Sequence, residues 1–159
     1  GFLLRSMQEW TKHHLNPYGI DTNEKHIKDA RIIFPRAQEH FVRGRMEDLA
    51  NKMPQGFPQK MDYCVWNMWD ETLEMPWNEA KHVLVEIARG TLKSNGRLII
   101  ACYHHDTLIN DALLEQLEAE GYVVKVLPNE HGQPECAYII DNEDQNDVVK
   151  KESKSSTWE

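Results

Sequence analysis

The sequence is short of positive charge, of long apolar runs and of closely spaced cysteines. Its 159 residues include 18 Lys and Arg against 26 Asp and Glu, a formal net charge of −8. Such a chain has no basic field to attract a polyanion, so we expect no nucleic acid as its main partner. The apolar runs are well short of a membrane span, and no basic segment leads into an apolar one, so we also expect no membrane partner.

Cysteine is scarce, and its three copies lie far apart. Cys64, Cys102 and Cys136 each stand in an apolar run, and no CxxC pair occurs. This pattern favours buried thiols in a reducing compartment over disulfides or a zinc site. We therefore expect a cytoplasmic protein.

Apolar periodicity alternates between helix and strand along the chain. Helical spacing covers residues 2 to about 14, 24–35, 76–92 and 109–121, and a mostly loop segment covers 46–60. The strand candidates are PYGI, EHFVRG, MDYCVW, RLIIACY, YVVKVL and CAYIID, and KSNG is predicted to turn the chain before RLIIACY. This alternation predicts one α/β domain over 1–141 with a mainly parallel sheet, followed by a polar, mobile tail over 142–159.

The last two strands break the pattern. Only PNEHGQPE separates YVVKVL from CAYIID, and a parallel return needs a crossover of about a dozen residues or more. The last strand is therefore predicted to run antiparallel, in a hairpin.

Asp21 stands directly behind a short strand candidate and directly before a helix. At the carboxyl end of a strand in an open α/β sheet, an acidic residue accepts hydrogen bonds from ribose hydroxyls. The alternative is that Asp21 only caps the helix, although Thr22 or Asn23 would serve as well.

Five segments, taken together, resemble the class I S-adenosylmethionine-dependent methyltransferases in order and spacing. They are GIDTNEKHIKDAR, HFVRGRMEDL, MDYCVWNMWD, EIARGTLKSNGRLIIACY and the terminal hairpin. The resemblance covers roughly residues 1–141 and implies a Rossmann-like sheet in the family's strand order 3-2-1-4-5-7-6, with strand seven antiparallel. It also implies S-adenosylmethionine as the cofactor.

The resemblance assigns roles to residues at the strand ends. Asp21 would hold the cofactor ribose and Thr22 would supply a backbone group beside it. In GRMEDL, Arg45 stands where the family often has aspartate, so Met46 would form an apolar wall and Glu47 or Asp48 would replace the acidic group facing adenine. Asn67, Met68 and Trp69 would line the methionine end, where an exposed turn for Asn67 and core packing for Trp69 are the alternatives.

The family's first strand and most of its glycine-rich loop have no counterpart in the sequence. Gly1 resembles the last glycine of that loop, and FLLRSMQEW resembles the helix that follows it. We therefore expect an N-terminally truncated domain, a piece of a longer protein that is inactive or incomplete by itself. The alternatives are that a second chain, such as another copy in a homo-oligomer, completes the sheet, or that rearranged strand pairing fills the gap.

CYHHD offers Tyr103, His104 and His105 as candidates for a general base, since histidine titrates near neutrality. Polar residues collect at strand ends in any case, and Asp106 or Thr107 would cap the next helix. No metal site is expected, because the adjacent side chains of the two histidine pairs, at 13–14 and 104–105, point apart.

Three functions remain open. The first is methyl transfer to a small-molecule substrate, and the second is a non-catalytic methyltransferase-like binding module. The third is an NAD-dependent oxidoreductase, since NAD also carries a ribose; the terminal hairpin counts against it. The tryptophans and methionines at 61–77 would bind an apolar substrate, close over the cofactor as a lid, or pack in the core.

Overall fold

The computed structural model describes residues 2–51, 53–128 and 136–142. The predictions for Gly1 and for the tail beyond 142 lie outside these residues. The chain divides into two compact units, Gly1–Gln59 and Lys60–Glu159. The prediction of one domain over 1–141 stays a prediction.

In its described residues, 2–51 and 53–59, the first unit contains a parallel pair of short strands and three helices. They are α1 (Phe2–Thr11), β1 (Gly19–Asp21), α2 (Glu24–Ile33), β2 (Phe41–Arg43) and α3 (Asp48–Asn51), with a 3-10 turn at Gln38–His40 before β2. Gly19 lies opposite Phe41 and Asp21 opposite Arg43. The predicted strand-helix-strand order of this unit is therefore observed, with Asp21 as the last strand residue.

An apolar cluster holds the first unit together. Ile27 and Ala30 from the inner face of α2 are buried with Phe34 and Phe41, whose rings stack at 5.6 Å between centroids. A Cβ on Gly19 would lie 2.8 Å from the Phe41 ring on the neighbouring strand, so a larger residue at position 19 would collide with that ring. The apolar pattern of the sequence also predicts Ile32 on this face, but Ile32 is 76% exposed, so that prediction is wrong. At about 100° per residue, Ile32 lies about 140° around the helix from Ile27.

The second unit is a four-stranded mixed sheet with helices. Its elements are β3 (Met61–Met68), α4 (Asp70–Leu73), α5 (His82–Gly90), β4 (Leu92–Cys102), α6 (Thr107–Ala119), β5 (Val124–Pro128) and β6 (Cys136–Asp141). The strand order is β3-β4-β6-β5, and only the β3–β4 pair is parallel. The antiparallel terminal hairpin is confirmed. Each sheet also reproduces part of the expected family order, 2-3 in the first unit and 4-5-7-6 in the second.

Several local features differ from the prediction, and α4 has no predicted counterpart. The KSNG segment lies within β4 because the strand already begins at Leu92, which pairs with Met61. The register then shifts so that Tyr63 pairs with Arg97, and residues 93–96 form a bulge between these two residue pairs. A π-helical turn, Trp77–Lys81, replaces the first turn of the helix predicted from residue 76.

One face of the second sheet forms the core. Leu98, Ile100 and Cys102 alternate along β4 and are fully buried, as the two-residue period of a strand requires. The helices contribute Leu84, Val85, Ala88, Leu113 and Leu117. After α6, Gly121 has φ of +83° and its N–H bonds to the carbonyl of Glu118, so it ends the helix as predicted.

Candidate functional site

The carboxylate of Asp21 lies at the carboxyl end of β1 and orders the turn that follows. Its Oδ1 accepts the N–H of Asn23 at 2.7 Å, and its Oδ2 lies 3.0 Å from Nδ1 of His26. The N-cap of α2 is Asn23, whose side chain accepts the N–H of Lys25 at 2.9 Å. The interpretation of Asp21 as the helix cap is therefore wrong, although the residue does stabilise the turn before the helix.

Asp21 retains capacity for a ligand. Its side chain is 40% exposed. An ionised carboxylate has about four acceptor positions, and the two contacts to Asn23 and His26 leave about half of them for hydroxyl groups. The carbonyl of Thr22 accepts a hydrogen bond from Nε of Arg43 at 3.1 Å.

The GRMED turn lies beside the end of β1. The N–H of Gly44 donates to the carbonyl of Asp21 at 3.1 Å, which joins the ends of the two strands. Asp48 accepts the N–H of Arg45 at 2.8 Å and so holds the turn closed. Glu47 is exposed, and its Oε2 lies 3.7 Å from Nε of Arg45. Within the described residues, Asp48 accepts a backbone N–H, whereas the carboxylate of Glu47 contacts none.

Met46 in the same turn is half-buried, so part of its side chain faces outward as an apolar wall would require. Asp21, Thr22, Met46 and Glu47 therefore lie together at one end of the first unit. Their roles toward a cofactor stay predictions.

In the second unit, the parallel strands β3 and β4 end side by side. Asn67 pairs with Ala101 and Met68 with Cys102. The side chain of Asn67 is exposed, whereas Met68 is fully buried. The expectation that Met68 lines the methionine end is wrong, because its side chain belongs to the core face of β3.

Trp69 follows β3 and stacks on Tyr103, the residue after β4. The ring centroids lie 4.7 Å apart with planes at 17°. Trp69 is 62% exposed, so the core-packing interpretation of this residue is wrong. The end of the parallel pair therefore presents a flat aromatic surface.

His104 is held inside the turn between β4 and α6. Its Nδ1 accepts the N–H of Asp106 at 2.9 Å, so the ring proton lies on Nε2, which is 3.1 Å from Oε1 of Glu74. The side chain is 3% exposed. His104 could accept a proton at Nδ1 only by losing the hydrogen bond that orders this turn, which favours a structural role.

His105 and Asp106 follow His104 in the turn between β4 and α6. His105 is exposed, and its ring stacks on His104 at 4.5 Å. Asp106 caps α6 by accepting the N–H of Leu108 at 2.9 Å, one of the two capping alternatives. Within 2–51, 53–128 and 136–142, no group of three or more His, Cys, Asp or Glu could hold a metal ion.

Sequence reasoning missed Lys81, a buried cation of the second unit. It is 3% exposed, and its Nζ donates to the carbonyl of Leu73 at 2.6 Å. Burial lowers the pKa of this ammonium group. Its position in the π-helical turn, which no sequence pattern indicated, turns the side chain inward.

Neither a protein-family model nor a curated protein sequence matches the chain. Solved structures do match it. A candidate type 11 methyltransferase from Sulfolobus solfataricus has 14% identity and a TM-score of 0.56, covering 91% of this chain and 79% of its own. An rRNA methylase from Streptococcus thermophilus has 17% identity and a TM-score of 0.53, covering 80% and 73%. A candidate methyltransferase from Streptococcus mutans, solved in complex with SAH, has 14% identity and a TM-score of 0.52, covering 78% and 74%.

The chain therefore has the fold of the class I S-adenosylmethionine-dependent methyltransferases, as the sequence resemblance implied. At these identities the likeness shows the fold, and activity has to be argued from the residues. Among the described helices, none is both long enough and apolar enough to cross a membrane.

Proposed function

We propose that the protein binds S-adenosylmethionine and takes part in methyl transfer to a small-molecule acceptor. The observation that carries this proposal is Asp21, a part-exposed carboxylate with spare acceptor capacity at the carboxyl end of β1. The fold supports the proposal because its solved relatives are named as methyltransferases and one of them was solved with SAH.

The residues present fit this cofactor. Asp21 would accept hydrogen bonds from the ribose hydroxyls, and the N–H of Thr22 would lie beside them. Met46 would pack against the adenine face, and Glu47 would accept from the adenine amino group after turning away from Arg45. The roles of Asn67 and Trp69 at the methionine end stay predictions of the sequence resemblance.

When bound, S-adenosylmethionine supplies an electrophilic methyl group on a positively charged sulfur. The contribution of the chain is to hold the acceptor in line with it, which can supply much of the acceleration. A base is needed only for an acceptor that must lose a proton. Tyr103 and His105 remain the candidates that present a polar group at this strand end.

An aromatic or apolar small molecule is the acceptor class that the second unit favours. The stacked rings of Trp69 and Tyr103 offer a flat surface against which a planar group can pack. The rRNA methylase named among the solved relatives makes RNA the alternative acceptor. The net charge of −8 weighs against it, since RNA recognition depends on cationic groups.

A non-catalytic binding module is the second candidate. This candidate is supported by the ion pair between Arg45 and Glu47, because the same Glu47 carboxylate is the group proposed to bind the adenine amino group. An oxidoreductase is disfavoured by the antiparallel β6, since a dinucleotide-binding sheet adds parallel strands through helices. A cytoplasmic location, supported by the three free thiols, and completion of the sheet by a second chain also remain proposals.

The test is calorimetric titration of S-adenosylmethionine, SAH and NAD into the 159-residue chain and into the longest reading frame that contains it. Saturable binding of the first two ligands by either protein, without binding of NAD, supports the proposal. Methyl transfer from labelled S-adenosylmethionine to a library of aromatic small molecules then separates the enzyme from the binding module. Absence of S-adenosylmethionine binding in both proteins would overturn the proposal.

A further inference from the structure

Two cysteines that lie far apart in the sequence face each other in the second unit. Cys102 is the last residue of β4 and pairs directly with Cys136, the first residue of the antiparallel β6. Directly opposed residues of an antiparallel pair have Cα atoms about 4.5–5.5 Å apart. Disulfides span Cα distances of about 4.4–6.8 Å, so the strand pairing already places this pair within bonding range.

The two thiols differ in acidity. Interaction with the neighbouring Cys102 thiol lowers the pKa of Cys136 to about 6. The same interaction, together with burial, raises the pKa of Cys102. Lys81 from the turn before α5 favours the thiolate form of Cys102, and Asp111 on α6 opposes ionisation of Cys136. The pair therefore combines a half-buried thiol of lowered pKa with a buried thiol of raised pKa.

The third cysteine is an internal control. Cys64 on β3 pairs with Leu98 on β4. This pair lies four residues before the pair formed by Met68 and Cys102. At about 3.3 Å per residue this separation is about 13 Å along the strand, beyond the reach of a disulfide. Burial raises the pKa of Cys64 to about 11, so it is also a poor nucleophile at neutral pH.

We infer that Cys102 and Cys136 form a redox-active pair, which a peroxide oxidises to a cross-strand disulfide. The Cys136 thiolate attacks hydrogen peroxide; an S–O bond forms, the O–O bond breaks, and hydroxide leaves and becomes water. The Cys102 sulfur then attacks the Cys136 sulfur. The S–S bond forms, the S–O bond breaks, and the departing hydroxide takes the Cys102 proton. Two thiols and one peroxide thus give one disulfide and two waters.

The position of the pair links this chemistry to the aromatic surface. Cys102 immediately precedes Tyr103, whose ring stacks on Trp69. A disulfide would tie the end of β4 covalently to β6 at that point. Formation of the bond does not depend on the proposed methyl transfer and is tested without it.

The experiment treats the folded chain with dilute hydrogen peroxide at pH 7, then counts thiols after denaturation and identifies linked peptides by mass spectrometry. We expect two of the three thiols to be lost, one cross-link between Cys102 and Cys136, and full recovery with dithiothreitol. The C64A variant should lose both of its remaining thiols. The C136A variant should form no intramolecular disulfide.

Oxidation of the chain in denaturant provides the control for geometry, since an unfolded chain should also form links that involve Cys64. Any such link in the native protein would overturn the inference. Retention of all three thiols, or Cys136 held as a sulfenic acid that dimedone traps without a disulfide, would overturn it as well.

Discussion

The Asp21→Asn substitution separates the ligand role of this residue from its role in the turn. Asparagine keeps the size and one acceptor oxygen, so the 2.7 Å bond from the N–H of Asn23 can persist. The charge is lost, and with it the charge-assisted bonds to ribose. Hydrogen bonds to charged groups contribute about 1.5–3 kcal/mol. We therefore expect the affinity for S-adenosylmethionine to fall by about tenfold to somewhat more than a hundredfold.

The matched control is Asn23→Ala, two residues further along the same turn. It removes the cap that accepts the N–H of Lys25 at 2.9 Å, while the Asp21 carboxylate stays in place. Loss of such a cap costs about 1 kcal/mol of stability. Calorimetric titration and urea unfolding of both variants give the two quantities independently.

Two results would refute the reasoning. One is Asp21→Asn binding the cofactor as tightly as the unmodified protein. The other is Asn23→Ala weakening binding as much as Asp21→Asn does, which would make turn geometry, and not the charge, the source of affinity.

Three further predictions concern the second unit. Leu98→Ala removes a fully buried core side chain and should lower the free energy of unfolding by about 2–5 kcal/mol in urea titrations, whereas a loss below 1 kcal/mol would contradict the proposed core. Gly121→Ala places a side chain at φ of +83° and should cost about 1–2 kcal/mol, while an unchanged midpoint would mean that the helix ends differently. Alkylation of Cys136 by iodoacetamide, followed by peptide mass spectrometry, should accelerate as pH rises through about 6 because the thiolate is the nucleophile; Cys64 should show no such rise below pH 9.

Much of the fold was accessible from local sequence. The eight residues PNEHGQPE are too few for a parallel crossover, so the antiparallel end of the sheet followed from chain length alone. The apolar period of α2 identified Ile27 and Ala30 as inward-facing, although it wrongly included Ile32, and Gly121 marked a helix end. In each case the constraint acts over a few residues, where sequence is informative.

The features that the sequence could not decide depend on contacts between distant segments of the chain. The KSNG segment has turn residues, yet the pairing of Leu92 with Met61 extends the strand past it as a bulge. For Trp69, the sequence left core packing open as the alternative to a role in the site. Its partner Tyr103 lies 34 positions away, and the stacked Trp69 ring is exposed. In both places a tertiary contact determines the local structure, and that contact cannot be predicted from residue type alone.

By itself, the sequence determined the order of helices and strands, the antiparallel last strand and the position of Asp21 at a strand end. These depend on periodicity, loop length and turn chemistry, which are local. Tertiary structure alone decided that Asn23 caps α2 while Asp21 orders its turn, that His104 is held by Glu74, and that Cys102 faces Cys136. Hydrogen-bond partners and cross-strand neighbours depend on register, and register is set by the packing of the whole sheet.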